Sequence, residues 1–296
     1  MSNPTPYMVT WIWRHIAVRL PATWEMLQFS SEFNRGRCAF ADRYQFRFEL
    51  SWKTVKGEPD YDRMVTDYMN RLEHEKKLTE AERARKAGWH GFSGVVNRER
   101  TSRFGKYLPE IGCLVEVVFL WPEARDIELE NAVLPAISGM PRVEGNRQPW
   151  RAFGLDLQVP ATAAFEGCIA QPARAEFTFT HPATGNSWQF GRLGMVGSWF
   201  KGDLESWLRT SLGRDVGDLR IFHRATRGDD HLHAEGTFKP RRLHLRRGNV
   251  RATAWIEHRD GRLYVAKAWI AKPFPDADAP LEELIRAAPE FTPRMP

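Results

Sequence analysis

The chain has 296 residues, 42% of them hydrophobic and 27% charged, a globular balance that excludes wholesale disorder. No apolar run reaches the roughly 18 to 20 residues of a membrane-spanning helix, and three widely spaced cysteines, Cys38, Cys113 and Cys168, exclude a disulfide framework or a zinc cluster. A net charge of +6 and an isoelectric point near 9.3 permit a nucleic-acid, acidic-lipid or acidic-protein partner and require none.

In chain order, the first residues lack the basic and apolar regions of a secretory signal, so a reducing, cytoplasmic setting is expected. Ile16, Val18 and Leu20 then alternate with His15, Ala17 and Arg19, the period of a strand with one buried face, and Pro21 stops it. Phe46, Phe48, Leu50 and Trp52 repeat that period. Pro59-Asp60 opens a helix in which Met64, Tyr68 and Leu72 share a face, and the charged stretch 73–85 reads as its solvated extension. Strands are expected at 89–97 and 112–121, and a helix at 126–137. Beyond lie strands at 153–159, 175–180 and 187–193 and a helix at 203–212, capped by Asp203 and ended by Gly213. Strands at 219–224, 231–238, 250–257 and 263–269 follow, then a helix at 280–287 and a loose tail at 289–296.

The two halves of this series repeat. A shift of 139 residues places Trp11 on Trp150, Pro21 on Pro160, Ala22 on Ala161, Thr23 on Thr162 and Phe40 on Phe179. The shift grows to about 150 at the end, where Leu114 meets Leu263 and Leu134 meets Leu284. The expected fold class is therefore α+β: a tandem duplication of an antiparallel sheet with packed helices, in two pseudo-twofold-related halves. The halves are 1–140 and 150–296, joined by a linker at 141–149. The segment Leu20-Pro21-Ala22-Thr23-Trp24-Glu25, with the order of elements after it, resembles the opening of the PsbP-like α/β/α sandwich superfamily. That superfamily includes auxiliary proteins of photosystem II and a nuclear-transport factor that binds the Ran GTPase. The resemblance implies a small domain that docks on a larger partner, and it assigns no functional residue.

Two segments concentrate reactive side chains. His231, His233 and Glu235 would project from one face of a strand, as two imidazoles and a carboxylate must to share a divalent metal; an exposed polar strand face is the simpler reading. A shift of 143 places His90 on His233, so a His common to both halves is expected, either as part of such a site or, equally, as a half-buried imidazole bonded to a backbone carbonyl on each sheet. Downstream, Arg241, Arg242, Arg246, Arg247 and Arg251 form a basic run fit to hold phosphates or an acidic face, or to guard an edge strand. Phosphate-loop, dinucleotide and nucleophile-elbow motifs are missing; Met195-Val196-Gly197-Ser198-Trp199 is only superficially elbow-like. The three cysteines fall in or beside strands, where free Cys packs as a small hydrophobe.

The leading expectation is a non-enzymatic accessory or assembly protein that docks on a protein partner, or on its own copies, through a Trp- and Arg-rich surface and needs no cofactor. The alternatives are a nucleic-acid-binding protein using the basic run and a metal-dependent enzyme centred on His231 and His233.

Overall fold

The computed structural model describes residues 6–141, 147–226, 229–239, 247–273 and 280–288. The chain divides into two compact units, Met1–Pro141 and Arg142–Pro296.

In the first unit, β1 (Met8–Trp13) and β2 (Ile16–Pro21) form a hairpin, to which β10 (Ser138–Gly139) adds beside β2. A seven-stranded antiparallel sheet follows, built from two meanders. The first is β3 (Glu25–Phe29), β4 (Arg35–Ala41) and β5 (Phe46–Thr54); the second is β6 (Leu78–Lys86), β7 (Trp89–Val96), β8 (Glu99–Leu108) and β9 (Cys113–Trp121). They join through β5 and β9, giving the order β3-β4-β5-β9-β8-β7-β6. Helix α1 (Tyr61–His74) connects the meanders. Asp60 accepts from the Arg63 N–H at its start, and Val65 and Leu72 pack on Leu78, Phe92 and Val96. On the other face of the sheet lie the hairpin, with Trp11 edge-on to Phe40 at 5.3 Å, and α2 (Ile127–Val133) with the 3₁₀ turn Leu134–Ala136. Trp89, fully buried beneath that turn, donates its Nε1–H to the Leu134 carbonyl.

The second unit repeats this order. Hairpin strands β11 (Arg147–Ala152) and β12 (Leu155–Pro160) are joined by β20 (Ile285–Ala287) on β12. The sheet contains β13 (Ala164–Gln171), β14 (Arg174–Thr180), β15 (Ser187–Leu193), β16 (Val216–Thr226), β17 (Asp229–Phe238), β18 (Gly248–Glu257) and β19 (Arg262–Ile270). Its order, β13-β14-β15-β19-β18-β17-β16, is that of the first sheet strand for strand. Helix α4 (Leu204–Leu212) takes the place of α1, with Leu208 and Leu212 against Leu232, Ala234, Ala252 and Val265, and α5 (Leu281–Leu284) takes that of α2. The second unit adds α3 (Val196–Trp199): ten residues separate β15 from α4, where six separate β5 from α1.

The α+β expectation is corrected by this architecture, which is mostly β. The five α-helices among the described residues span only 14, 7, 4, 9 and 4 positions. The stretch 73–85 supplies the largest share of the error. Helix α1 ends at His74, Lys76 turns the backbone to φ +55°, the Lys77 N–H bonds to the Leu72 carbonyl, and the charged residues continue as edge strand β6. The closing helix is likewise cut at Leu284, after which Ile285–Ala287 pairs with β12. Strand β11 starts at Arg147, inside the segment expected to be a linker. The tail 289–296 lies outside the described residues. No helix among the described residues is long and apolar enough to cross a membrane.

Each seven-stranded sheet ends on two strands with one neighbour each, and all four carry a register shift. The shifts fall at Met26/Gln28 in β3, Thr79/Glu82 in β6, Phe165/Gly167 in β13 and Gly217/Arg220 in β16. Glu80 and Asp218, inside the β6 and β16 bulges, hold φ of +53° and +50°. Such bulges bend an edge away from a flat pairing geometry.

Candidate functional site

Strand β17 presents His231, His233 and Glu235 on one face, as the period of two requires, but the surroundings are aromatic. His231 lies flat on Trp255 of β18, with centroids 4.5 Å apart and planes within 6°, and Trp255 stacks on Tyr264 of β19 at 5.4 Å. His233 stacks on Phe222 of β16 at 5.7 Å and is 6.3 Å from His231. Five rings on four adjacent strands thus form one ladder across the sheet, and the Tyr264 hydroxyl donates to Asp260 Oδ2 at 2.7 Å. The two imidazoles are arranged ring over ring, not with nitrogens converging on a point. Among the described residues no three His, Cys, Asp or Glu side chains are placed to hold a metal ion.

Cross-strand registers explain why. The pairs Trp89–Lys86 in the first sheet and His231–Arg224 in the second occupy matching places, as do Ser93–Ser102 and Glu235–Arg251. The positions 231, 233 and 235 are therefore those of Trp89, Gly91 and Ser93. His231 stands where the first unit buries a tryptophan. The same registers put His90 on Leu232, so the suggested His90–His233 equivalence is corrected: the shift in these strands is 142, and one residue of slip exchanges the faces. His90 faces α1 instead, stacked on Tyr61 at 4.2 Å. Burial, and to a lesser extent Arg224, hold the His233 imidazole below its usual pKa against the opposing pull of Glu282 and Glu235.

The ion pair that ties the outermost strand to the closing helix occurs in both units, with unequal strength. In the first, the wholly buried Glu130 receives Lys86 Nζ at 2.7 Å and Arg125 through Nε and Nη2, both at 2.8 Å. Arg125 also donates to Ser93 Oγ. Burial raises the Glu130 pKa, but hydrogen bonds from Arg125, Lys86 and Ser102 outweigh it and leave the carboxyl below its usual range. In the second, Arg224 meets Glu282 at 3.8 Å.

Of the basic run, Arg241, Arg242 and Arg246 lie outside the described residues. Arg247 is exposed and bonds Asp218 at 3.2 Å, and Arg251 sits directly opposite Glu235. The residues expected to bind an anion and a metal thus face each other with opposite charge. Burial raises all three thiols, Cys168 to about 12, with Glu176 adding to the rise there. Cys113 Sγ does contact His15 Nε2 at 3.5 Å, but both side chains are buried, 1% exposed each, and the thiol stays protonated.

No protein-family model and no curated protein matches this chain. Among solved structures it is similar to the immunity protein TplEi of T6SS from Pseudomonas aeruginosa in complex with an "L" peptide, with 12% identity, 95% of this chain and 98% of that chain covered, and a TM-score of 0.36. The apo structure of the same protein matches with 10% identity, coverage of 95% and 97%, and a TM-score of 0.32. At these scores the likeness supports no conclusion about fold or function.

The tryptophans distinguish the remaining surface. Nine of the twelve are buried, Trp207 and Trp269 are partly buried, and Trp199 alone is exposed, at 41%. The expected Trp-rich surface is corrected accordingly, because the tryptophans build the cores. Trp199 ends α3, the turn that the first unit lacks, and Met195, four residues earlier, is 69% exposed. The turn is held by the Trp199 Nε1–H on the Gly194 carbonyl, by Ser198 Oγ on the Met195 carbonyl, and by the Gly194 N–H on the Ala173 carbonyl. Met195, at φ +55°, takes the strained position between strand and helix where a nucleophile elbow carries its nucleophile, so that position holds a thioether, while the Ser198 hydroxyl donates to the Met195 carbonyl. Sequence patterning missed the Met195 and Trp199 pair as a site. The available signal was the four extra residues before α4.

Proposed function

We propose that this protein acts without chemistry of its own, by docking on a protein partner through the Met195–Trp199 knuckle of its second unit. The observation that carries the reading is the placement of the single exposed tryptophan on an addition absent from the sister unit. Tryptophan and methionine are enriched at interface cores, and exposed indoles serve as binding anchors. Strand addition is the less favoured mode, since both outer strands of each seven-stranded sheet are bulged. Affinity capture from the native host, with mass spectrometry and metal analysis of the same preparation, tests this. One stoichiometric protein partner is expected, retained by a Phe222→Ala control and lost with Trp199→Ala. A partner equally retained by Trp199→Ala, or a bound metal that depends on His231 and His233, would overturn the proposal.

A further inference from the structure

We infer that the partner segment seated on the Met195–Trp199 knuckle is acidic, an apolar side chain flanked by carboxylates; the inference rests on the docking reading above. Three observations converge on it. The second unit has 23 Lys and Arg against 18 Asp and Glu, whereas the first has 20 against 19, and the excess of the second comes from the run 239–251, with six cations and no carboxylate. Between Glu176 and Asp203 the chain contains no carboxylate, while the matching stretch of the first unit holds Asp42, Glu49 and Glu58. Glu176, the near boundary, is already paired with Arg174 at 2.7 Å and accepts a hydrogen bond from the Gln189 side-chain amide.

Within the acid-free stretch, Lys201 stands two residues beyond Trp199, exposed and without an ion pair among the described residues. An indole and a thioether offer an apolar seat. An ammonium two residues from the indole, in a unit of net positive charge, selects a segment of the opposite sign and speeds its encounter. A basic segment would meet like charge, and a neutral one would gain nothing from Lys201.

The test is a selection of random twelve-residue peptides, displayed on phage, against the full-length chain, with counter-selection on the Trp199→Ala chain. Winning sequences are expected to pair an aromatic or aliphatic residue with two or more Asp or Glu. Resynthesised winners should bind Trp199→Ala at least about thirtyfold more weakly and Lys201→Glu about tenfold more weakly, and should weaken as salt rises. Winners that need Trp199 but are neutral or basic, and are indifferent to Lys201→Glu and to salt, would overturn the acidic partner and leave docking intact. If no binder depends on Trp199, docking at the knuckle falls with it.

Discussion

The two units share every strand and every edge bulge, yet they close in different ways. The first seals its outer strands with buried charge: Glu130 from α2 reaches Lys86, Arg125 and Ser102 around a fully buried Trp89. The second replaces that tryptophan with His231, builds a ring ladder, and reduces the ionic seal to one pair at 3.8 Å. It adds α3 on another loop. The difference shows that the duplicated sheet tolerates exchange of its whole polar closure while its registers persist. It also shows that surface novelty entered as an insertion between elements, where no register had to change.

The largest effect that would sharpen this comparison comes from Glu130→Ala. It empties a fully buried site and leaves two part-buried cations without their carboxylate, and should cost about 2–3 kcal/mol, whereas Glu282→Ala should cost about 1 kcal/mol or less. Denaturant unfolding followed by hydrogen exchange in each unit measures both, and equal losses would refute the asymmetry. Next, Asp60→Ala removes the cap of α1 and should cost about 1 kcal/mol, read as faster exchange confined to the first unit.

His233→Phe keeps the ladder and deletes a desolvated imidazole, so its effect at neutral pH should stay within about 1 kcal/mol. The pH dependence has a definite sign. The folded pKa of His233 is lowered by burial, so the unfolded chain takes up the proton first; the contribution is complete above about pH 6.5 and declines as pH falls. In His233→Phe that part of the slope should vanish, and an unchanged slope would contradict the assignment. The smallest effect is expected from Trp199→Ala, about 0.5–1 kcal/mol for the loss of one part-buried hydrogen bond to the Gly194 carbonyl. A large drop in melting temperature would make Trp199 structural and remove the basis for docking.

Strands with one buried face were legible in the sequence, β2, β5, β9 and β14 among them, because alternation survives wherever one side meets the core. So were α1 and α4, whose Asp caps and apolar faces agree. Strand β6 was not, since Glu80, Glu82, Arg83 and Arg85 leave neither face apolar and suit a solvated helix equally well. Strands β3 and β13 were hidden by their bulges, which break the period in mid-strand. For the site, alternation correctly placed His231, His233 and Glu235 on one face, but what lay opposite them, Trp255 and Phe222, depended on cross-strand register. That register was misjudged by one residue, enough to turn a packing position into an apparent shared histidine.

The edge bulges have a historical consequence. Those in β6 and β16 stand 138 residues apart, each with an acidic residue in the left-handed conformation, and those in β3 and β13 stand 139 apart. Features so matched were inherited, not acquired twice. The single unit therefore already carried these guards against edge-to-edge joining before it was doubled.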